Sequence, residues 1–323
     1  MLDQRPNKQP DGLETAARLP LDELSRRCQK LGHREIGTWM ARRVSRPVAL
    51  RITWLVSPWG ISANTATLAA WGMGLAAALA FCWGSSWSWL AAAALWQLWY
   101  LLDHVDGQLA RLRRSESLDG AQLDYWMHHA VHLAIPCGMG YGLFVSAAEP
   151  LWLFAGFTWG VALLLVGLES DTRAKTFILR LKRLSGELRV VGGGGGRPAP
   201  AQRPPRTPWK LAKWLLRKSL EMHVLMNVVT LLAFWQVLAG DSALTTARIF
   251  VGAMSLLSVA SAGVLISQSV RRETAEHEFA AWFRLPRGAE MVFYDGWWVV
   301  QRDDTEQDSQ AGKLSPARCQ QSS

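Results

Sequence analysis

Apolar positions along this chain gather into six blocks instead of scattering in short periodic runs. They span about Thr65 to Trp83, Trp87 to Leu109, Ala121 to Ser146, Leu151 to Leu168, Val224 to Ala239 and Ile249 to Ser267. Each approaches the roughly 20 residues that a helix needs to cross the hydrocarbon core of a bilayer, the fifth being the shortest. Lys and Arg crowd alternate connections: Arg42, Arg43, Arg46 and Arg51 before the first block, and Arg111, Arg113 and Arg114 after the second. They return as Arg173, Lys175, Arg180, Lys182 and Arg183 after the fourth, and as Arg271 and Arg272 after the sixth. The intervening connections carry neither residue. This alternation predicts six spans with both termini on the cytoplasmic side.

The segments outside the blocks predict a simple organisation. Residues 1–20 are polar and proline-containing and are expected to be disordered. Over residues 21–56, Trp39, Met40, Val44, Val48, Ile52 and Leu55 recur at helical spacing among arginines, as in a helix lying in the membrane interface. A transmembrane domain then covers residues 57–270. It is interrupted at 192–208 by a Gly run followed by Pro pairs, a linker with no packing potential. No strand precedes this Gly run and no Lys-Ser or Lys-Thr follows it, so it is not a phosphate-binding loop. Its flanks, Thr176 to Leu188 and Trp209 to Leu220, are basic and amphipathic and suited to the membrane surface. Residues 271–323 form a small soluble tail in which Met291 to Tyr294, Asp295-Gly296 and Trp297 to Val300 spell a β-hairpin. An isolated hairpin is marginal, so this one is expected to dock on something. The fold class is therefore an all-α integral membrane protein with an interfacial helix and this tail.

Composition changes the picture little. Half the residues are hydrophobic, yet the net charge is +9. A basic rim facing anionic headgroups accounts for that charge without nucleic acid. Cys28, Cys82, Cys137 and Cys319 are dispersed, with no metal-ligand spacing, and read as free thiols. The first 40 residues are polar, so no cleavable signal peptide is expected.

Chemistry concentrates at the junction of the second and third blocks. Asp103 and Asp106 are three residues apart and share a helix face; Asp124 and His128 are four apart on the next helix, with His132 extending the stripe. Acidic groups at the end of a span are costly and mark a site. Hard oxygen ligands suit Mg²⁺ or Mn²⁺, and the small residues Gly107, Ala110 and Gly120 would let a phosphate-bearing ligand reach the backbone.

The run from Asp103 to His128 resembles the signature of the CDP-alcohol phosphotransferase (CDP-alcohol phosphatidyltransferase) family, D-x-x-D-G-x-x-A-R-x8-G-x-x-x-D-x-x-x-D. Asp103, Asp106, Gly107, Ala110, Arg111, Gly120 and Asp124 match; the last Asp is His128 here. Ser62-Ala63-Asn64-Thr65-Ala66-Thr67 is similar to the family's Pro-Asn-x-x-Thr at the start of its first span, with Ala63 replacing Pro. The resemblance implies a membrane enzyme of phospholipid synthesis, a phosphotransferase for other substituted phosphate groups. It would move such a group from a CDP-linked lipid or alcohol donor to an alcohol acceptor and release CMP. It further implies two divalent ions, Mg²⁺ or Mn²⁺, on Asp103, Asp106, Asp124 and His128. Gly107, Ala110, Arg111 and Gly120, with Asn64 and Thr67, would bind the nucleotide. A homodimer is also implied; a bacterial plasma membrane is expected from the compact chain and its basic loops, with the site on the cytoplasmic side that the charge alternation predicts, and the acceptor is not identified.

His128 leaves three roles open. The imidazole can replace the carboxylate as base or ligand, though it brings no negative charge. His132, one turn on, can assist or replace it. Alternatively, the site binds CDP-lipid or metal without turnover. His104 and His129 fall on adjacent faces and read as structural. Glu169 and Asp171 sit with Arg173 and Lys175 at the end of the fourth block, where acceptor contact and helix-end pairing both fit. His223 and Asn227 suit either the same cavity or bonds between helices. An aspartate-rich membrane prenyltransferase would need a second Asp-rich cluster on a later loop, which the sequence lacks.

Overall fold

The computed structural model describes residues 19–30, 37–186, 188–190, 207, 208, 210, 211, 214, 218, 220–241, 244–285, 289–294 and 296–302. The N-terminal stretch to residue 18, nearly all of the Gly/Pro linker, Asp295 and the last twenty or so residues lie outside them. Helix α1 (Leu21–Cys28) is followed by a π-helical turn at Ala41–Ser45 that runs into α2 (Arg46–Val56). The wide turn ends where Pro47 begins: proline has no N–H to close the regular ladder, and its ring crowds the carbonyl four residues back. Gly60, at φ 68°, turns the chain toward the spans.

Five long apolar helices and one short one follow: α3 (Ala63–Phe81), α4 (Ser86–Leu112), α5 (Leu118–Ala147), α6 (Leu151–Lys182), α7 (Met222–Leu238) and α8 (Thr245–Arg271). Serines start three of them. Ser62 Oγ accepts the Thr65 amide at 3.0 Å, Ser117 Oγ accepts that of Gly120 at 3.0 Å, and Ser85 and Ser88 form a reciprocal capping box. Helices α3, α5, α6 and α8 are long and apolar enough to cross a membrane, which makes this a multi-pass membrane protein. Helix α4 has 27 residues, but its second half carries Asp103, His104, Asp106, Gln108 and Arg111; α7 has only 17. These two are what separates four evident spans from the six read in the sequence.

The contacts divide the described chain into two compact units, one from residues 1–167 with 198–263 and one from 168–197 with 264–323. In the first, backbones approach through glycine. A Cβ on Gly138 or Gly142 of α5 would collide with the Ala78 or Phe81 carbonyl of α3. On its other side, Gly140 meets Gly156 of α6, where an added Cβ would sit 2.7 Å from the opposing Cα. Helix association in lipid lacks a hydrophobic drive, so close packing of this kind and bonds between helices hold it. Gln97 Nε2 donates to Asn227 Oδ1 at 3.1 Å and to Thr230 Oγ1 at 2.9 Å; Thr158 and Ser255 share a hydroxyl bond of 2.8 Å. Asn227 thus ties α7 to α4. Buried Trp89, Trp96 and Trp99 of α4 pack with Phe81, Met127, Ile135 and Trp159 in the core.

The second unit holds the C-terminal half of α6, the end of α8, α9 (Thr274–Trp282) and short strands β1 (Leu184–Ser185), β2 (Arg189–Val190), β3 (Phe283–Arg284), β4 (Ala289–Tyr294) and β5 (Trp297–Arg302). The expected hairpin is β4–β5, antiparallel with Phe293 opposite Trp298; β1 adds parallel to β5, and β2 pairs β3. The surface segment expected from Thr176 is instead a continuation of α6. That helix is 32 residues long, about 48 Å of rise against roughly 30 Å of hydrocarbon. Its basic end is occupied by acidic partners. Glu169 accepts from Ser269 and pairs with Arg173 at 3.3 Å, Arg173 reaches Glu278 at 3.2 Å, and Arg180 grips Glu276 with both guanidinium nitrogens. The Arg180 guanidinium lies 4.4 Å from the Trp298 ring centre and 4.9 Å from that of Phe279. Arg180 holds the Glu276 carboxyl below its usual range. The hairpin therefore docks within its own unit, and Glu169 and Arg173 pair with each other at this helix end.

Candidate metal and nucleotide site

Helices α4 and α5 are joined by a short turn at Arg113–Ser117, with Arg114 at φ 50°, so their polar ends lie side by side. Helical spacing then aims Asp103 from one and Asp124 and His128 from the other at a common point. His128 Nε2 is 3.0 Å from Asp103 Oδ1 and 3.4 Å from Asp124 Oδ1. One donor atom from each of the three lies within 4.8 Å of the others. All three side chains are half-buried.

Asp106 takes a different environment. It is buried at 7% exposure, and its Oδ2 accepts the Thr67 hydroxyl of α3 at 2.8 Å. It lines the same cavity as the other two carboxylates without joining their donor cluster. This cavity, about 510 Å³, also takes in Gly107, Ala110, Arg111, Gly120, Asn64 and Thr67. A Cβ on Gly120 would sit 3.3 Å from Asn64 Oδ1 and 3.2 Å from Ser117 Oγ; one on Gly107 would sit 3.3 Å from an Arg111 guanidinium nitrogen. Glycine keeps these walls open.

The N-terminal helices close one side through contacts that the sequence pattern does not specify. Gln108, almost fully buried, accepts from Thr53 Oγ1 at 2.8 Å and donates to the Arg46 carbonyl at 3.3 Å, fastening α2 to α4. Arg111 Nε donates to the Cys28 carbonyl at 2.6 Å, fastening the end of α1. Burial pushes the Cys28 thiol up to about 11 despite the opposing charge of Arg111. These contacts bring Lys30 and Arg46 to the cavity lining beside Arg111. Their only trace in the sequence was a basic amphipathic pattern, which lipid headgroups explain equally well.

The remaining imidazoles stand outside the donor cluster. His132 does not line the cavity; its ring packs 6.4 Å from Trp99 and 5.9 Å from His128, centre to centre. His104 Nδ1 bonds the Tyr100 carbonyl at 3.0 Å and His129 Nδ1 that of Tyr125 at 2.7 Å, each one turn back along its own helix. His223 Nε2 pairs with Glu221 at 3.3 Å.

Two carboxylates and one imidazole, on rigid helices and at these separations, fit a divalent cation. The cationic side chains beside them suit the phosphates of a ligand. The sequence model of the CDP-alcohol phosphatidyltransferase family matches residues 61–183, which include every one of these acidic positions. The family comprises phosphotransferases of phospholipid synthesis that act on CDP-linked alcohols and use divalent metals. Among solved structures, the chain is similar to the Mycobacterium tuberculosis phosphatidylinositol phosphate synthase with CDP-DAG bound. The TM-score is 0.44 and the identity 17%, covering 68% of this chain and 91% of that one. No curated protein sequence matches the chain. Lys30 and Arg46 lie before the matched segment, so the cavity is lined by more than the matched residues.

Proposed function

We propose that this protein is a six-span membrane enzyme that transfers a substituted phosphate from a CDP-linked lipid to an alcohol, releasing CMP. The observation that carries the reading is the convergence of Asp103, Asp124 and His128 in a cavity that Gly107, Gly120, Lys30, Arg46 and Arg111 also line. The charge alternation along the chain supports a cytoplasmic site and cytoplasmic termini, as in a bacterial inner membrane. A homodimer belongs to the same reading.

Asp103, Asp124 and His128 would hold the cation, with Asp106 beside them as the family pattern's further carboxylate. Bound there, a divalent ion neutralises diphosphate charge and stabilises the leaving CMP. Gly107 and Gly120 admit the nucleotide to the helix backbones, and Asn64 and Ala110 border it. Arg111, Arg46 and Lys30 supply cations for the phosphates. Thr67 holds the Asp106 carboxylate in one orientation. The acceptor hydroxyl must lose a proton, and His128 Nε2 is the imidazole nitrogen that faces both Asp103 and Asp124 on the cavity wall. One lone pair cannot bind a cation and take a proton at once, so His128 serves one of the two roles in any step.

The test is CMP release by the purified full-length protein supplied with CDP-diacylglycerol, a panel of alcohols, and Mg²⁺ or Mn²⁺. Release that depends on one acceptor establishes the transfer. Measurable CDP binding with no release for any acceptor establishes the second reading, a non-catalytic CDP-lipid binder, which the His128 departure favours.

A further inference from the structure

The donor set that converges between α4 and α5 differs from an all-carboxylate site in the one property that decides which ion it takes. His128 Nε2 stands 3.0 and 3.4 Å from oxygens of Asp103 and Asp124. Adjacent corners of an octahedron with bonds of about 2.1 Å are about 3 Å apart, so the two nitrogen–oxygen separations are close to those within one coordination shell, and all three donors lie within 4.8 Å of one another. Asp106 is buried against the Thr67 hydroxyl and outside that cluster, leaving two oxygens and one nitrogen at the point of convergence. Trp99 packs edge-on against the imidazole at 5.4 Å and limits its rotation, keeping Nε2 toward the carboxylates. Mg²⁺ demands oxygen ligands and sheds water reluctantly, whereas imidazole nitrogen binds first-row transition ions more strongly.

We infer that Asp103, Asp124 and His128 form a mixed nitrogen–oxygen site that holds a single first-row transition ion, of the Mn²⁺ or Co²⁺ class, in preference to Mg²⁺. This rests on the transfer reading of the cavity but makes a narrower claim: His128 is a metal ligand. With its Nε2 so used, the proton of the acceptor hydroxyl leaves by another group.

The test uses the full chain in detergent, stripped of metal, with Mn²⁺, Co²⁺ and Mg²⁺ titrated separately by calorimetry. Pulsed electron paramagnetic resonance of the Mn²⁺-loaded protein reads any ligand nitrogen directly. The expected result is binding of Mn²⁺ and Co²⁺ at least about tenfold tighter than Mg²⁺, at about one ion per chain, with a nitrogen coupling in the Mn²⁺ spectrum. His128→Asp removes that coupling and narrows the preference to within about threefold, with His128→Asn as a second variant should the first aggregate. Equal affinities for Mn²⁺ and Mg²⁺, absence of nitrogen coupling in the native protein, or coupling that survives both variants overturns the inference. CMP release measured on the same preparation separates the two claims. Release supported equally by Mg²⁺ and Mn²⁺ without nitrogen coupling sinks this inference and leaves the transfer reading standing. Tight Co²⁺ binding with nitrogen coupling and no release sinks the transfer reading alone.

Discussion

His128 of α5 reaches across to Asp103 of α4, placing Nε2 3.0 Å from a carboxylate oxygen. The bond crosses between two helices that the sequence connects by a five-residue turn, so it reports their packing as well as their chemistry. His132 makes no such contact; its ring rests on Trp99 and His128. His128→Ala should therefore lower CMP release by about 100-fold or more, the usual scale for a lost base or ligand, while His132→Ala stays within about fivefold of the native rate. Initial rates at saturating donor decide it, and comparable losses in both variants would break the assignment.

Thr67 is the only described hydroxyl bonded to Asp106. Thr67→Val keeps the shape but leaves a buried carboxylate short of a donor, at a cost of about 1–3 kcal/mol. A lower melting temperature and weaker CDP binding are expected, with both restored by Thr67→Ser. A Thr67→Val protein that melts and binds as the native one does would show that this bond positions nothing.

The glycine contacts predict a contrast along one membrane domain. Gly142→Ala would place a methyl group against the Phe81 carbonyl, a backbone atom that cannot swing aside, whereas a Cβ at Gly72 meets nothing within 4 Å. Gly142→Ala, like Gly138→Ala, should lower thermal stability in detergent by about 1–3 kcal/mol, the usual range for overpacking. Gly72→Ala should leave it unchanged or slightly raised. Size-exclusion profiles after a temperature ramp measure the order.

Cys28 supplies a dependence on pH. Its folded thiol is raised from an ordinary value near 9.0 to about 11 by burial at the end of α1. The folded chain therefore keeps a proton that the unfolded chain releases. The stabilisation is complete below about pH 9 and is lost as pH rises toward 11. Alkylation at pH 8 should modify Cys28 in SDS but not in the native protein, and native labelling should rise steeply above pH 10. Rapid native labelling at pH 8 would contradict the packing of α1 on α4.

Much of this architecture was legible before the structure. The carboxylates and the glycines of the cavity declare themselves through spacing, because a helix converts sequence distance directly into a shared face. The interface glycines and Gln108 do not. Their roles depend on which helix lies opposite, and periodicity within one segment carries no such information. The extent of α6 was missed for another reason. Its hydrophobic pattern stops near Leu168, but the helix continues to Lys182, stabilised by Glu276 and Glu278 from a segment about 100 residues away. The basic, amphipathic pattern around Arg180 suits a membrane surface, and only the fold reveals that Glu276 engages it.

The central claim is that acidic groups from two neighbouring helices act on a CDP-linked substrate through one shared cation. The most direct measurement is metal-dependent CMP release from CDP-diacylglycerol by the native protein and by Asp103→Asn and Asp124→Asn, each checked for folding by its melting curve. Release that requires a divalent ion and falls by about 100-fold or more in both folded variants is the predicted result. Undiminished release from either variant, or release that persists in chelator, would contradict the account.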